Sequence, residues 1–161
     1  MNIYTQRFTL SSHILEFDSA KGILRCTALE NEKKSWVKQL NDISDIGSVS
    51  ENHGNFFLSC MIDETSGRFI ALSKVDGATS WFIPGHEFLH VLHKDSLFLI
   101  FIDGDGTYYF LKVDAEDGHP AWQREVEPNL HEYYINSDRI TLSYKSGKTE
   151  YIDRETGEVI T

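Results

Sequence analysis

The chain has 161 residues, 40% of them hydrophobic and 25% charged, a composition that excludes a disordered or fibrous polymer. Twenty-five Asp and Glu against 15 Lys and Arg leave a formal net charge of −10, and no basic cluster exceeds the pair Lys33–Lys34. A general electrostatic grip on nucleic acid is thereby excluded, and the longest apolar run, LFLIFI at 97–102, is too short to cross a bilayer.

Ten Phe, seven Tyr and three Trp favour strands over helices. In chain order, the first group of strands is expected within residues 1–42: IYTQRFTL, HILEF, ILRCTAL and SWVKQL, with the turn DSAKG between the second and third. A second group, 43–84, follows the polar entry NDISDIG and holds SVSEN, NFFLSCMID, RFIALSKV and SWFI, separated by ENHGN and ETSG. The third, 85–126, holds FLHVLH, LFLIFID, TYYFLKV and WQREV, with turns at KDS, GDG and EDG. The fourth, 127–161, holds HEYYIN, ITLSY, TEYID and EVIT, with turns at SD, KSG and ETG. Each group therefore has four short strands and three short turns.

The groups share a turn. VDAEDGHPAW places Gly118 four residues before Trp122, and LSKVDGATSW places Gly77 four residues before Trp81. YIDRETGEVIT places Gly157 four residues before Thr161, and ALENEKKSW reaches Trp36 without a glycine. Trp36, Trp81, Trp122 and Thr161 are spaced by 45, 41 and 39 residues, a period that points to propeller-type repeats. Glycine suits a turn position needing positive φ, and tryptophan supplies a large anchor between neighbouring sheets.

This turn resembles the repeat of pyrroloquinoline-quinone (PQQ)-like β-propellers, roughly A-x-D-x-x-T-G-x-x-x-W. VDAEDGHPAW, SKVDGATSW and IDRETGEVI each match part of it. The resemblance covers about a quarter of the chain and implies an all-β fold of four blades, each of four antiparallel strands. It departs from the pattern in the first unit, which lacks the glycine, and in the fourth, which lacks the tryptophan. Family propellers have seven or eight blades as a rule. Two arrangements stay open: a four-bladed ring, or half of an eight-bladed ring completed by a homodimer. Either way one domain is expected over 1–161.

Residues 86–90 read HEFLH, with His93 three residues on. On a helix, His86 and His90 would meet at one zinc, His93 would lie nearby, and Glu87 would act as general base toward a bound water. The repeat instead sets HVLHKDS beside YYINSDR, which places His90 and His93 on a strand, where chance spacing explains the motif. Asp103 and Asp105 in FIDGDGTYY could begin a calcium loop, but the further acidic ligands are absent and a tight hairpin is expected. Cys26 and Cys60 sit in apolar strands and read as reduced core thiols.

The functional expectation is a non-catalytic cytoplasmic module that binds another protein. The acidity suits a basic partner, as an immunity or inhibitor-type protein covering a basic toxin or nuclease would need. No cofactor and no membrane are expected, and the cytoplasmic address rests on residues 1–13, which show no basic start leading into an apolar stretch. The alternatives are a zinc-dependent hydrolase using HEFLH and a binder of a small ligand in a propeller channel.

Overall fold

The structure, a computed structural model, describes residues 5–160, without the side chains of Phe88 and Leu89. Among the described residues, fifteen strands form four antiparallel sheets. Blade 1 is β1 (Thr5–Thr9), β2 (His13–Asp18), β3 (Ile23–Ala28) and β4 (Trp36–Gln39). Blade 2 is β5 (Asp45–Glu51), β6 (Asn55–Met61), β7 (Gly67–Ser73) and β8 (Thr79–Pro84). Blade 3 is β9 (His86–His93), β10 (Ser96–Ile102), β11 (Tyr108–Asp114) and β12 (Pro120–Val126). Blade 4 is β13 (Leu130–Ile135), β14 (Arg139–Tyr144) and β15 (Thr149–Asp153). In every sheet the strands lie side by side in chain order. This meander follows from hairpin loops too short to cross over.

Two expectations change. The fourth strand of blade 4 is reduced to a single bridge, Val159 with Ile152, plus the Ile160 amide donating to Tyr151 O at 2.8 Å. After the Gly157 turn the described chain makes too few consecutive pairs for a ladder, and Thr161 lies outside the described residues, as do residues 3–4 of the first expected strand. In blade 1 the missing glycine turn is replaced by a 3-10 turn, Glu32–Lys34. Asn31 caps it, its Oδ1 accepting from Lys33 N at 3.1 Å.

The chain divides into two compact units, Met1–Glu87 and Phe88–Thr161, with the division inside β9. The first has a core from both of its blades, in which Leu15, Phe17 and Leu24 meet Ile46, Phe56 and Leu58. The second packs Phe98 and Phe110 with Ile140, Leu142 and Ile152. Strands β6 and β10 are buried over five consecutive residues, Phe56–Cys60 and Leu97–Phe101. Such runs belong to strands covered on both faces. Strands β2 and β14 instead bury alternate residues, Leu15 and Phe17, and Ile140, Leu142 and Tyr144.

Candidate functional site

The repeat turn is built alike in blades 2, 3 and 4. Gly77, Gly118 and Gly157 have φ of 76°, 73° and 74°. Their amides donate to Ser73 O, Asp114 O and Asp153 O at 2.8–2.9 Å. Within the first unit, Trp36 of blade 1 lies on Gly77 of blade 2, and its Nε1 donates to Lys74 O at 2.9 Å. Within the second, Trp122 of blade 3 lies on Gly157 of blade 4, its Nε1 donating to Arg154 O at 2.8 Å. A Cβ on either glycine would come within 2.5 Å of the indole. Trp36 and Trp122 thus join neighbouring blades.

Beneath this lies an aromatic triad that the sequence spells at fixed spacing. Phe57 and Phe69 precede Trp81 by 24 and 12 residues, and Phe98 and Phe110 precede Trp122 by the same distances. Trp81 lies 5.9 and 5.8 Å from its two phenylalanines, and Trp122 lies 6.4 and 5.8 Å from its pair. Counting back from each tryptophan would have found both triads.

His86, Glu87, His90 and His93 all lie on β9. On a strand, four residues separate His86 from His90 by about 13 Å, too far for one metal. No group of three or more His, Cys, Asp or Glu side chains is gathered for a metal among the described residues. Asp103 spends its Oδ1 on the turn it opens, accepting from Asp105 N at 2.9 Å and Thr107 N at 3.1 Å. Cys26 and Cys60 are free and buried, and burial pushes the thiols up to about 11 and about 12.

The second unit holds a cavity of about 290 Å³, open on one side, lined by Ile100, Tyr108, Pro128, Leu130, Tyr133 and, at its edge, His131 and Glu132. A β-bulge makes it. Leu130 pairs with Tyr144 and Glu132 with Ser143, so His131 is the extra residue. Bulges re-aim side chains and recur beside binding sites. Blade 2 has the same bulge, between Ile46 and Ser48, but its extra residue is Gly47, which adds no side chain. Tyr133 is held edge-on against Phe110 with ring centroids 5.4 Å apart. A shift of one residue in a ladder leaves no mark in the sequence, which is why NLHEYYIN did not announce this pocket.

Across Pro128 lies a second depression, lined by Arg124, Glu125, Val126, Glu127, Tyr144, Lys148 and Glu150. Lys148 Nζ reaches Glu127 Oε1 at 3.1 Å and Glu150 Oε1 at 3.2 Å, and Arg124 Nη2 reaches Glu150 Oε2 at 3.2 Å. Burial alone would push the Glu150 carboxyl up, but bonds and charge from Lys148, with Tyr144 and Arg124, outweigh it and hold the group below its ordinary value. Tyr144 is pushed up to about 12, by burial first and then by Glu150. The first unit has a counterpart to the Lys148–Glu127 pair in Arg68 with Asp42, again a cation at the start of a blade's third strand on the acid of the interblade linker. There the adjoining crevice is mostly apolar, lined by Leu40, Ile43, Ile70 and Phe82 with Arg68 and Thr79.

PQQ itself is a polycarboxylate and needs cations. The lining of the 290 Å³ pocket offers Glu132 and no Lys or Arg, so these residues do not fit that group.

No protein-family model matches the chain, and neither does any curated protein sequence. Solved structures do resemble it. BamB from Moraxella catarrhalis is 16% identical with a TM-score of 0.64, over 93% of this chain and 49% of BamB. Quinohemoprotein alcohol dehydrogenase ADHIIG from Pseudomonas putida HK5 is 13% identical with a TM-score of 0.66, over 96% of this chain and 33% of that one. The computationally designed Ika4 protein is 9% identical with a TM-score of 0.59, over 95% of this chain and 92% of Ika4. The chain thus spans about half the length of BamB and a third of the dehydrogenase. With four antiparallel sheets and the shared turn, it is an all-β protein built from β-propeller-type blades, and its turn resembles the PQQ-like repeat.

Proposed function

We propose that the chain is a protein-binding module that holds a basic partner through its second unit. The observation that carries this is the distribution of charge. Residues 88–161 contain fourteen Asp and Glu against seven Lys and Arg, net −7, whereas residues 1–87 contain eleven against eight, net −3. Several cations of the second unit are moreover engaged internally. Lys112 pairs with Glu155 at 3.4 Å, Arg124 and Lys148 are tied to Glu150 and Glu127, and Arg154 donates to Asn136 O at 2.8 Å. The outward field is acidic and steers cationic partners. An inhibitor-type role, masking a basic toxin or nuclease in the cytoplasm, is the specific form of this reading.

Immobilised protein is exposed to lysate at low salt, and the captured proteins are identified by mass spectrometry. A captured set dominated by basic proteins, displaced by salt, is expected. Capture of neutral or acidic proteins with the same yield at high salt would remove the proposal.

A further inference from the structure

Resting on that reading, we infer that the 290 Å³ pocket is the anchor point for a basic peptide segment: one large apolar side chain enters it, and flanking Lys or Arg lie along Glu132, Glu125 and Glu127. The size is at the lower limit for small-molecule pockets, which suits a single Phe or Leu side chain. The walls are of the matching kind, Ile100 and Leu130 with the rings of Tyr108 and Tyr133. Ile100 is buried and Tyr133 is fixed against Phe110, so the pocket is formed before anything enters it.

The surroundings select the flanks. Glu132 is exposed at the pocket edge, and Glu125 and Glu127 line the adjoining depression across Pro128. The two cations of that depression, Arg124 and Lys148, are ion-paired, and the whole unit carries net −7. The two linings together hold four carboxylates, Glu125, Glu127, Glu132 and Glu150, against two cations, so an acidic segment would meet net like charge here and a basic one would not. Both blades carry the bulge, but blade 4 places His131 at the extra position where blade 2 has Gly47. The anchor site is built by blades 3 and 4 together, Ile100 and Tyr108 from one and Leu130 and Tyr133 from the other.

The test uses the full chain, isotope-labelled, titrated with three acetylated peptides: Lys-Lys-Phe-Lys-Lys, its Ser-for-Phe analogue, and Glu-Glu-Phe-Glu-Glu. The first is expected to shift the amide resonances of Tyr108 and residues 130–133, and the other two to bind at least about fivefold more weakly, a modest free-energy difference. Leu130→Trp, which fills the pocket, and Glu132→Lys, an exposed charge reversal, should each weaken the first peptide by about fivefold or more. Equal binding of the Ser analogue, equal binding of the acidic peptide, or shifts confined to other residues would overturn the inference. If the peptides fail while basic proteins are still captured, and Leu130→Trp captures them undiminished, the pocket is wrong and the binding-module reading stands. If the wild-type chain captures no basic protein either, both fall.

Discussion

Trp122 and Gly157 show how much one residue pair fixes. The indole covers the glycine, and the positive φ of 74° adds a backbone demand that only glycine meets without strain. Gly157→Ala should therefore cost about 2 kcal/mol or more in chemical denaturation, from overpacking and strain together. Gly104→Ala, with open space around it, should change stability by less than about 0.5 kcal/mol. Equal losses in the two variants would show that the indole contact is not what holds Gly157. Cys60 gives a second residue-scale prediction. It is 3% exposed and its thiol is pushed up to about 12, so it should resist a thiol reagent at pH 8 until the protein is unfolded. Fast reaction in the native state would contradict the packing described. The tryptophans and turn glycines were legible because tryptophan is rare, with three in the chain, and the four-residue step from Gly77 to Trp81 recurs from Gly118 to Trp122. Their partners were not, because an indole N–H donating to Lys74 O or Arg154 O depends on how blades meet, and a backbone carbonyl has no letter of its own.

At the scale of elements, hairpin order was legible from alternation and turn chemistry. Strand β9 was harder. Spacing of four puts two residues on one face of a helix and also on one face of a strand, so HEFLH fits both, and only the comparison between units favours the strand. Blade 4 differs from blade 2 through His131, which stands at the bulge where blade 2 has Gly47, and through Glu150, which sits among ion pairs next to a crevice whose first-unit counterpart is mostly apolar. Glu150 yields a pH prediction. Its folded-state value is depressed, so its stabilisation is fully present above the ordinary value of 4.5 and is lost as pH falls through the lower folded value. Glu150→Gln should lower stability by roughly 1 kcal/mol at neutral pH, and the gap from wild type should close in acid below pH 4.5. Melting curves of both proteins from pH 7 to pH 3 read this directly, and a gap that stays constant would deny the carboxylate its role.

For the whole molecule, fold class followed from the period near 40, since four repeated hairpin groups leave few architectures other than blades. Function was much less legible, because propeller blades serve many activities and their sites lie in local departures from the repeat. The departures here are His131 at the bulge, the pocket beside it and the excess of carboxylates in residues 88–161. None is a motif, and the charge excess becomes visible only when the chain is divided at Glu87. The central claim is that this acidic unit grips a basic partner. Its most direct test is the affinity for the captured partner, measured by calorimetry across a salt series from roughly 50 to 400 mM, over which the Debye length falls about threefold. The prediction is a steep fall in affinity with salt, reduced in slope by Glu132→Lys. Affinity independent of salt, with wild type and Glu132→Lys indistinguishable, would contradict it.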